Sequence, residues 1–135
     1  MSDHLAIMRN PWFKWVELGV KTIESRVSQK CSVPYGHIKI GDIIYFKQSG
    51  DFVVNFRAKV TRVEFYHGSI AIQQKLKMWA SQICIDEKYI ESKQKAEYCT
   101  LMWLDRIEFL TEPHPFRQKG QRAWIPHYNP KEWIE

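Results

Sequence analysis

The segment over residues 52–66 constrains the fold most. Val54, Phe56, Ala58, Val60 and Arg62 alternate there with Val53, Asn55, Arg57, Lys59 and Thr61. Side chains two apart share one face of an extended chain, so this is a long strand with an apolar face that a sheet must place against a core. Its flanks supply partners. Residues 4–9 read as a strand, and residues 37–40 lead through Gly41-Asp42 into Ile43-Ile44-Tyr45-Phe46 as strand, tight turn and strand. Ser49-Gly50-Asp51 turns the chain into the long strand.

Helical signals interrupt the strands twice. Asn10-Pro11 starts a short helix, with Asn as cap and Pro in the first turn; Trp12, Trp15 and Val16 give it an apolar face, and Gly19 ends it. The chain then becomes a strand over residues 22–27, with Thr22, Glu24 and Arg26 on one face and Ile23, Ser25 and Val27 on the other. Ile72, Leu76, Trp79, Ala80 and Ile83 recur at helical spacing, which predicts a helix over 69–83 packed on the sheet, with Trp15 and Trp79 in the core. A second, polar helix begins at Asp86 as cap and runs through Lys95. Residues 98–110 are strand-like until Pro113-His114-Pro115 breaks them, and Trp124 and Trp133 pin the tail. Strands with an early short helix and a later helical pair predict an α+β fold. Its simplest form is a small, partly closed β-barrel of mixed, mostly antiparallel strands with helices over its openings.

A length of 135 residues, with 44% hydrophobic and 26% charged residues, suits one globular domain over 1–135. Nothing approaches the ~20 apolar residues of a membrane span, and the start lacks the apolar stretch of a signal peptide. Cys31, Cys84 and Cys99 are odd in number and lack C-x-x-C spacing, which argues against a disulfide framework or zinc cluster and predicts a cytoplasmic protein.

Charge and aromatics point to a partner. Residues 1–67 hold 10 Lys and Arg against 6 Asp and Glu, residues 68–112 hold 6 against 7, and residues 113–135 hold 4 against 2. Basic ends combined with 6 Trp, 6 Tyr and 7 Phe suit a polyanion whose bases stack, and therefore nucleic acid. Trp12 beside the helix start and Trp124 in a basic, glycine-containing loop are placed to stack on a base. Arg117, Lys119 and Arg122 of that loop are placed to meet phosphates.

Gly19-Val20-Lys21-Thr22-Ile23-Glu24-Ser25-Arg26 concentrates polar chemistry at a helix-to-strand elbow. A lysine drawn out of water beside a carboxylate can serve as base, nucleophile or anion clamp, according to how far desolvation lowers its pKa. Read with Pro11-Trp12, with Ile38-Lys39-x-Gly41-Asp42-x-Ile44-x-Phe46, and with Glu112-Pro113-x-Pro115-Phe116, Gly120-Gln121 and Trp124, this G-x-K-T-x-E-x-R run resembles an ASCH domain of the PUA-like superfamily. The resemblance covers nearly the whole chain. It implies a PUA-like β-barrel whose cleft is walled by Lys21, Thr22, Glu24 and Arg26, with the loop over 116–124 near its mouth. It also implies RNA or a modified nucleoside as ligand. Some small ASCH proteins resemble 4-acetylcytidine amidohydrolases that use a Lys, a Thr three residues later and a more distant Glu. This chain has Lys21 but carries Glu24 at that Thr position. Others resemble ribonucleases or RNA-binding modules, so an enzyme would use Lys21 and Glu24, and a binder would use the cleft without turnover.

His4, His37, His67, His114 and His127 form no metal-ligand spacing, with His37 and His114 the two best placed to join a cleft as acid or base. No phosphate-cradling glycine loop, G-x-S-x-G or H-E-x-x-H is present, so neither metal nor cofactor is indicated.

Overall fold

The computed structural model describes residues 2–117 and 120–133. The long alternating segment is strand β4 of the chain-order set β1 (Asp3–Met8), β2 (Ile23–Ser28), β3 (Ile43–Gln48), β4 (Val53–His67), β5 (Tyr98–Leu104), β6 (Glu108–Pro115) and β7 (Trp124–Ile125). The first half of β4 pairs with β3 on one edge and β6 on the other, and its second half pairs with β5. One strand thus serves two half-sheets, with a register shift between Val60 and Arg62 where it bends from one to the other. The strand order is β2-β5-β4-β3-β1-β7, with β6 beside β4; β1 and β3 run parallel, and the other pairs are antiparallel.

Phe56, Ala58 and Val60 of β4 pack with Ala6, Met8, Ile44, Phe46 and Met102 inside the curved sheet. Helix α1 (Trp12–Glu17) covers this cluster through Phe13 and Val16. Its buried face is therefore shifted by one residue from the Trp12–Trp15 stripe, and Trp15 is only half-buried. Helices α2 (Ser69–Met78), α3 (Ala80–Ile83) and α4 (Glu87–Ser92) pack on the outside of the other half-sheet over Ile23, Cys99 and Leu101. The helix expected over 69–83 exists in two pieces, because Trp79 leaves helical geometry at φ −108 and ψ 15. Asp86 does cap the next helix, its Oδ1 accepting from the Tyr89 amide at 2.8 Å, but that helix stops at Ser92.

Three expectations are corrected. Residues 37–40 are not a strand: the amides of Tyr35 and His37 bond to Ser32 and Pro34 in local turns, and Ile38 packs into the core from there. The Pro113-His114-Pro115 run does not stop β6, because β6 is an edge strand whose outer side owes no hydrogen bonds. The sheet does not close into a barrel. β2 ends one edge and β1 with β7 form the other, and across the gap the Arg26 guanidinium donates to the carbonyls of Ile7 (3.4 Å) and Ala123 (3.3 Å). A side chain occupies the position that a backbone ladder would need.

Asp42 organises the entry to β3. Gly41 takes φ +94, a conformation glycine enters freely, which turns the Asp42 carboxylate inward. That carboxylate accepts from the amides of Ser2 and Lys39 and from Nε2 of buried His4. Because Trp124 Nε1 donates to His4 Nδ1, Nε2 carries the proton toward Asp42. Burial pushes the Asp42 carboxyl up, and these hydrogen bonds more than offset it, holding it below 3.8. Asp42→Asn is expected to lower stability by about 1–3 kcal/mol near neutrality. The sign of the pH dependence follows from the depressed pKa: the wild-type advantage is full above 3.8 and shrinks as pH falls through the lower folded value. Urea denaturation of both proteins against pH tests this, and a gap that widens in acid would refute it.

Candidate functional site

The open seam is a cleft of about 300 Å³. Its floor is the helix-to-strand elbow. Gly19, at φ +76, ends α1, and the amides of Val20 and Lys21 both bond to the Trp15 carbonyl, so Lys21 enters the fold from the turn rather than from the strand face. Lys21 is 3% exposed. Its Nζ donates to the Ile83 carbonyl at 2.6 Å and lies 3.4 Å from Glu24 Oε1. Desolvation holds its pKa below 10.5, with Glu24 pulling the other way.

Glu24, also 3% exposed, is fully engaged. Oε1 accepts from the Ser25 amide at 2.9 Å, and Oε2 accepts from Arg26 Nε and Nη2 at 3.3 and 3.1 Å. Arg26 rests on Trp124, its guanidinium carbon 5.3 Å from the ring centroid. The guanidinium therefore joins the carboxylate, both edges of the seam and a buried indole.

Trp12 and Tyr89 form one wall, with ring centroids 5.9 Å apart. Trp12 is fixed by its Nε1 donating to the Cys84 carbonyl at 3.1 Å. The Tyr89 phenol is pushed up by burial, with Glu24 raising it further and Arg26 opposing. Exposed Arg9 contributes to the lining, as does Lys93, whose ammonium stands 5.2 Å from the Tyr89 ring centroid. Four cationic side chains thus line the cleft (Arg9, Lys21, Arg26 and Lys93) against the single carboxylate of Glu24. Such a site favours an anion with a flat, stackable part.

Of the residues singled out in the sequence, Lys21, Glu24, Arg26 and Trp12 meet in this cleft. Thr22 does not line it: the residue is exposed, its amide bonds to Gln82 and its carbonyl to the Leu104 amide, and it borders a different hollow together with Leu104 and Phe109. Trp124 is buried core, supporting Arg26 from beneath. Arg117 and Arg122 are exposed and outside the lining, although Ala123 is part of it, and Lys119 lies outside the described residues. His37 is exposed away from the cleft, and His114 packs against Tyr45 and Tyr128, where burial and then Arg57 hold its pKa below 6.5. Arg9, Tyr89 and Lys93 also line the cleft without standing out in the sequence. Ile85, Tyr89 and Lys93 do recur every fourth residue, the spacing of one helix face, and that was the available signal.

Among the described residues no group of three or more His, Cys, Asp or Glu is gathered to hold a metal, and no helix is long and apolar enough to cross a membrane.

No family model matches the chain, and no curated protein matches it. Solved structures do. An ASCH protein from Zymomonas mobilis aligns over 99% of this chain and 88% of its own, at TM-score 0.65 and 12% identity. A tyrosine-to-phenylalanine mutant of that protein aligns over 100% and 91%, at TM-score 0.70 and 12% identity. The fold is that of an ASCH domain. A hypothetical protein of known structure also aligns, over 82% of this chain and 100% of its own, at TM-score 0.54 and 20% identity. The order of motifs along the chain resembles an ASCH domain, and the structure has that fold. At these identities the likeness is one of architecture, so chemistry has to be argued from the cleft itself.

Proposed function

We propose that this ASCH-fold chain binds RNA and that its cleft receives one nucleotide, unmodified or modified, with the base against Trp12 and Tyr89 and the phosphate toward Arg9 and Lys93. The observation that carries this reading is the pairing of four cations and one engaged carboxylate with an aromatic wall in a single cleft of about 300 Å³, the lower end of the usual range for small-ligand sites. Lys21, held by the Ile83 carbonyl and Glu24, then faces the edge of the base, where a fixed donor discriminates one base from another.

A second reading, hydrolysis at the same site, is favoured by the desolvation of Lys21. An amine held below its ordinary pKa can take a proton from a water attacking an acyl carbon, releasing a carboxylic acid and the free base amine. Glu24 would hold that amine in place, and Arg26 would hold Glu24.

Single-stranded RNA titrated with the protein at increasing salt tests the proposal. Affinity is expected to fall steeply with salt, and Arg9→Gln and Lys93→Gln are each expected to reduce the salt slope by about 1. Salt-independent or absent binding would end it. Mass spectrometry of the same RNA after incubation separates the two readings: fragments or lost acyl groups with wild type, absent with Lys21→Met, identify turnover, and unchanged RNA identifies a binder.

A further inference from the structure

Behind the aromatic wall lies a second hollow, a groove of about 570 Å³ lined by Pro11, Trp12, Trp15, Val20, Cys84 and Tyr89, among others. It shares Trp12, Ile85 and Tyr89 with the cleft, so a partition one side chain thick separates the two. We propose that this groove is a subsite for a second base, so that the ligand is a single strand of at least two nucleotides rather than a free nucleoside. The inference rests on the reading of the cleft as a nucleotide site.

Three observations specify that occupant. First, aromatic side chains line both hollows: Trp12 and Tyr89 border each, Trp15 is half-buried in the groove, and Val20 is 57% exposed there. Bases stack on such surfaces with little regard to sequence. Second, the groove lining has no cation, and its one carboxylate, Asp86, is engaged in capping the Tyr89 amide. It suits a base and not a phosphate. Third, Lys93 stands over the Tyr89 ring at the partition, where the phosphodiester joining a base in the cleft to its neighbour in the groove would cross. Successive nucleotides are spaced by a few ångströms, a step on the scale of one side chain. With its indole tied to the Cys84 carbonyl, Trp12 is a fixed divider between two bases.

Cys84 supplies a reporter inside the groove. Cys84 is partly exposed, whereas Cys99 is buried with its thiol pushed up to about 12 by that burial, which disfavours its alkylation. In a Cys31→Ser background, alkylation by iodoacetamide reads groove occupancy at Cys84 alone. The probes are the four 5′-phosphorylated mononucleotides and the four corresponding homodinucleotides. The dinucleotides are expected to bind at least about tenfold tighter than the mononucleotides. They are also expected to slow Cys84 alkylation severalfold, where mononucleotides leave it unchanged, and Trp15→Ala is expected to bring the affinity ratio toward one.

Mononucleotides that bind, with dinucleotides no tighter, overturn the second subsite and leave the cleft reading standing. If neither binds, the cleft reading fails and takes this inference with it. Cys84 protection that follows protein concentration instead of dinucleotide assigns the groove to a second copy of the chain and overturns the proposal. Because protection is read on the native tryptophan, a Trp15→Ala protein that fails to fold leaves the test intact.

Discussion

Glu24→Ala is expected to cost about 3–5 kcal/mol of unfolding free energy, because it breaks a buried ion pair on one side only. Glu24 and Lys21 are each 3% exposed, and their charged atoms lie 3.4 Å apart. Without the carboxylate, the ammonium keeps the Ile83 carbonyl as its hydrogen-bond partner in a site with little water. The pH dependence identifies the cause. Burial already holds Lys21 below 10.5, and Glu24 opposes that shift, so its removal lowers the lysine further. Between the folded pKa and 10.5 the unfolded chain binds more protons than the folded one, so stability rises with pH across that window. Glu24→Ala should therefore recover part of its loss as pH is raised from neutrality toward 10.5, and wild type should gain less. Replacing both partners, as Lys21→Met with Glu24→Leu, should recover part of that loss, since no lysine charge is then left buried alone, while Arg26 still lacks its carboxylate. Denaturant titrations of the three proteins at neutral and alkaline pH decide this, and a single-variant loss that is the same at both pH values refutes it.

The second large effect concerns the seam. Arg26→Ala removes the donors to Glu24 and to the carbonyls of Ile7 and Ala123, together with the guanidinium resting on Trp124. A loss of about 2–4 kcal/mol is expected, from charge-assisted hydrogen bonds and from a buried carboxylate that loses one of its cations. Nucleotide affinity is expected to fall by more than about tenfold, since the cleft wall itself is undone. Arg26→Lys should rescue little, because one ammonium cannot span the carboxylate and two carbonyls that a planar fork reaches together. Hydrogen exchange offers an independent view: amides of the short Trp124–Ile125 strand should exchange faster in both variants. Unchanged exchange in Arg26→Ala would mean that the seam is held by something other than this side chain.

How far the sequence could be read depended on whether a feature was local. The alternation along β4 is a property of consecutive residues, and it was legible with its buried face of Phe56, Ala58 and Val60. Glu24 and Arg26 came through for the same reason, two residues apart on one strand. Thr22 did not, because the period of two begins only at Ile23, and the turn before it sends Lys21 inward and leaves Thr22 outside. Trp124 looked like a loop residue because its partners, Leu5 and Ala6 across the ladder with Ile125, are more than a hundred residues away. Spacing puts Ile85, Tyr89 and Lys93 on one face, but that this face meets the cleft depends on how α4 docks against distant segments, which local spacing does not report. The unclosed barrel was hidden most deeply, since it depends on one side chain reaching two carbonyls from distant segments.

That latch has a consequence for what such a scaffold can become. Backbone ladders form with almost any sequence, so a sheet closed by one resists change residue by residue. Here the last gap is spanned by a guanidinium, and the width of the opening is set by one codon. The chain can therefore widen, narrow or recharge its mouth without disturbing the hydrogen bonds that hold β1 through β6 together. The ladders hold the architecture, and the joint they never made adds its own stability and shapes the mouth.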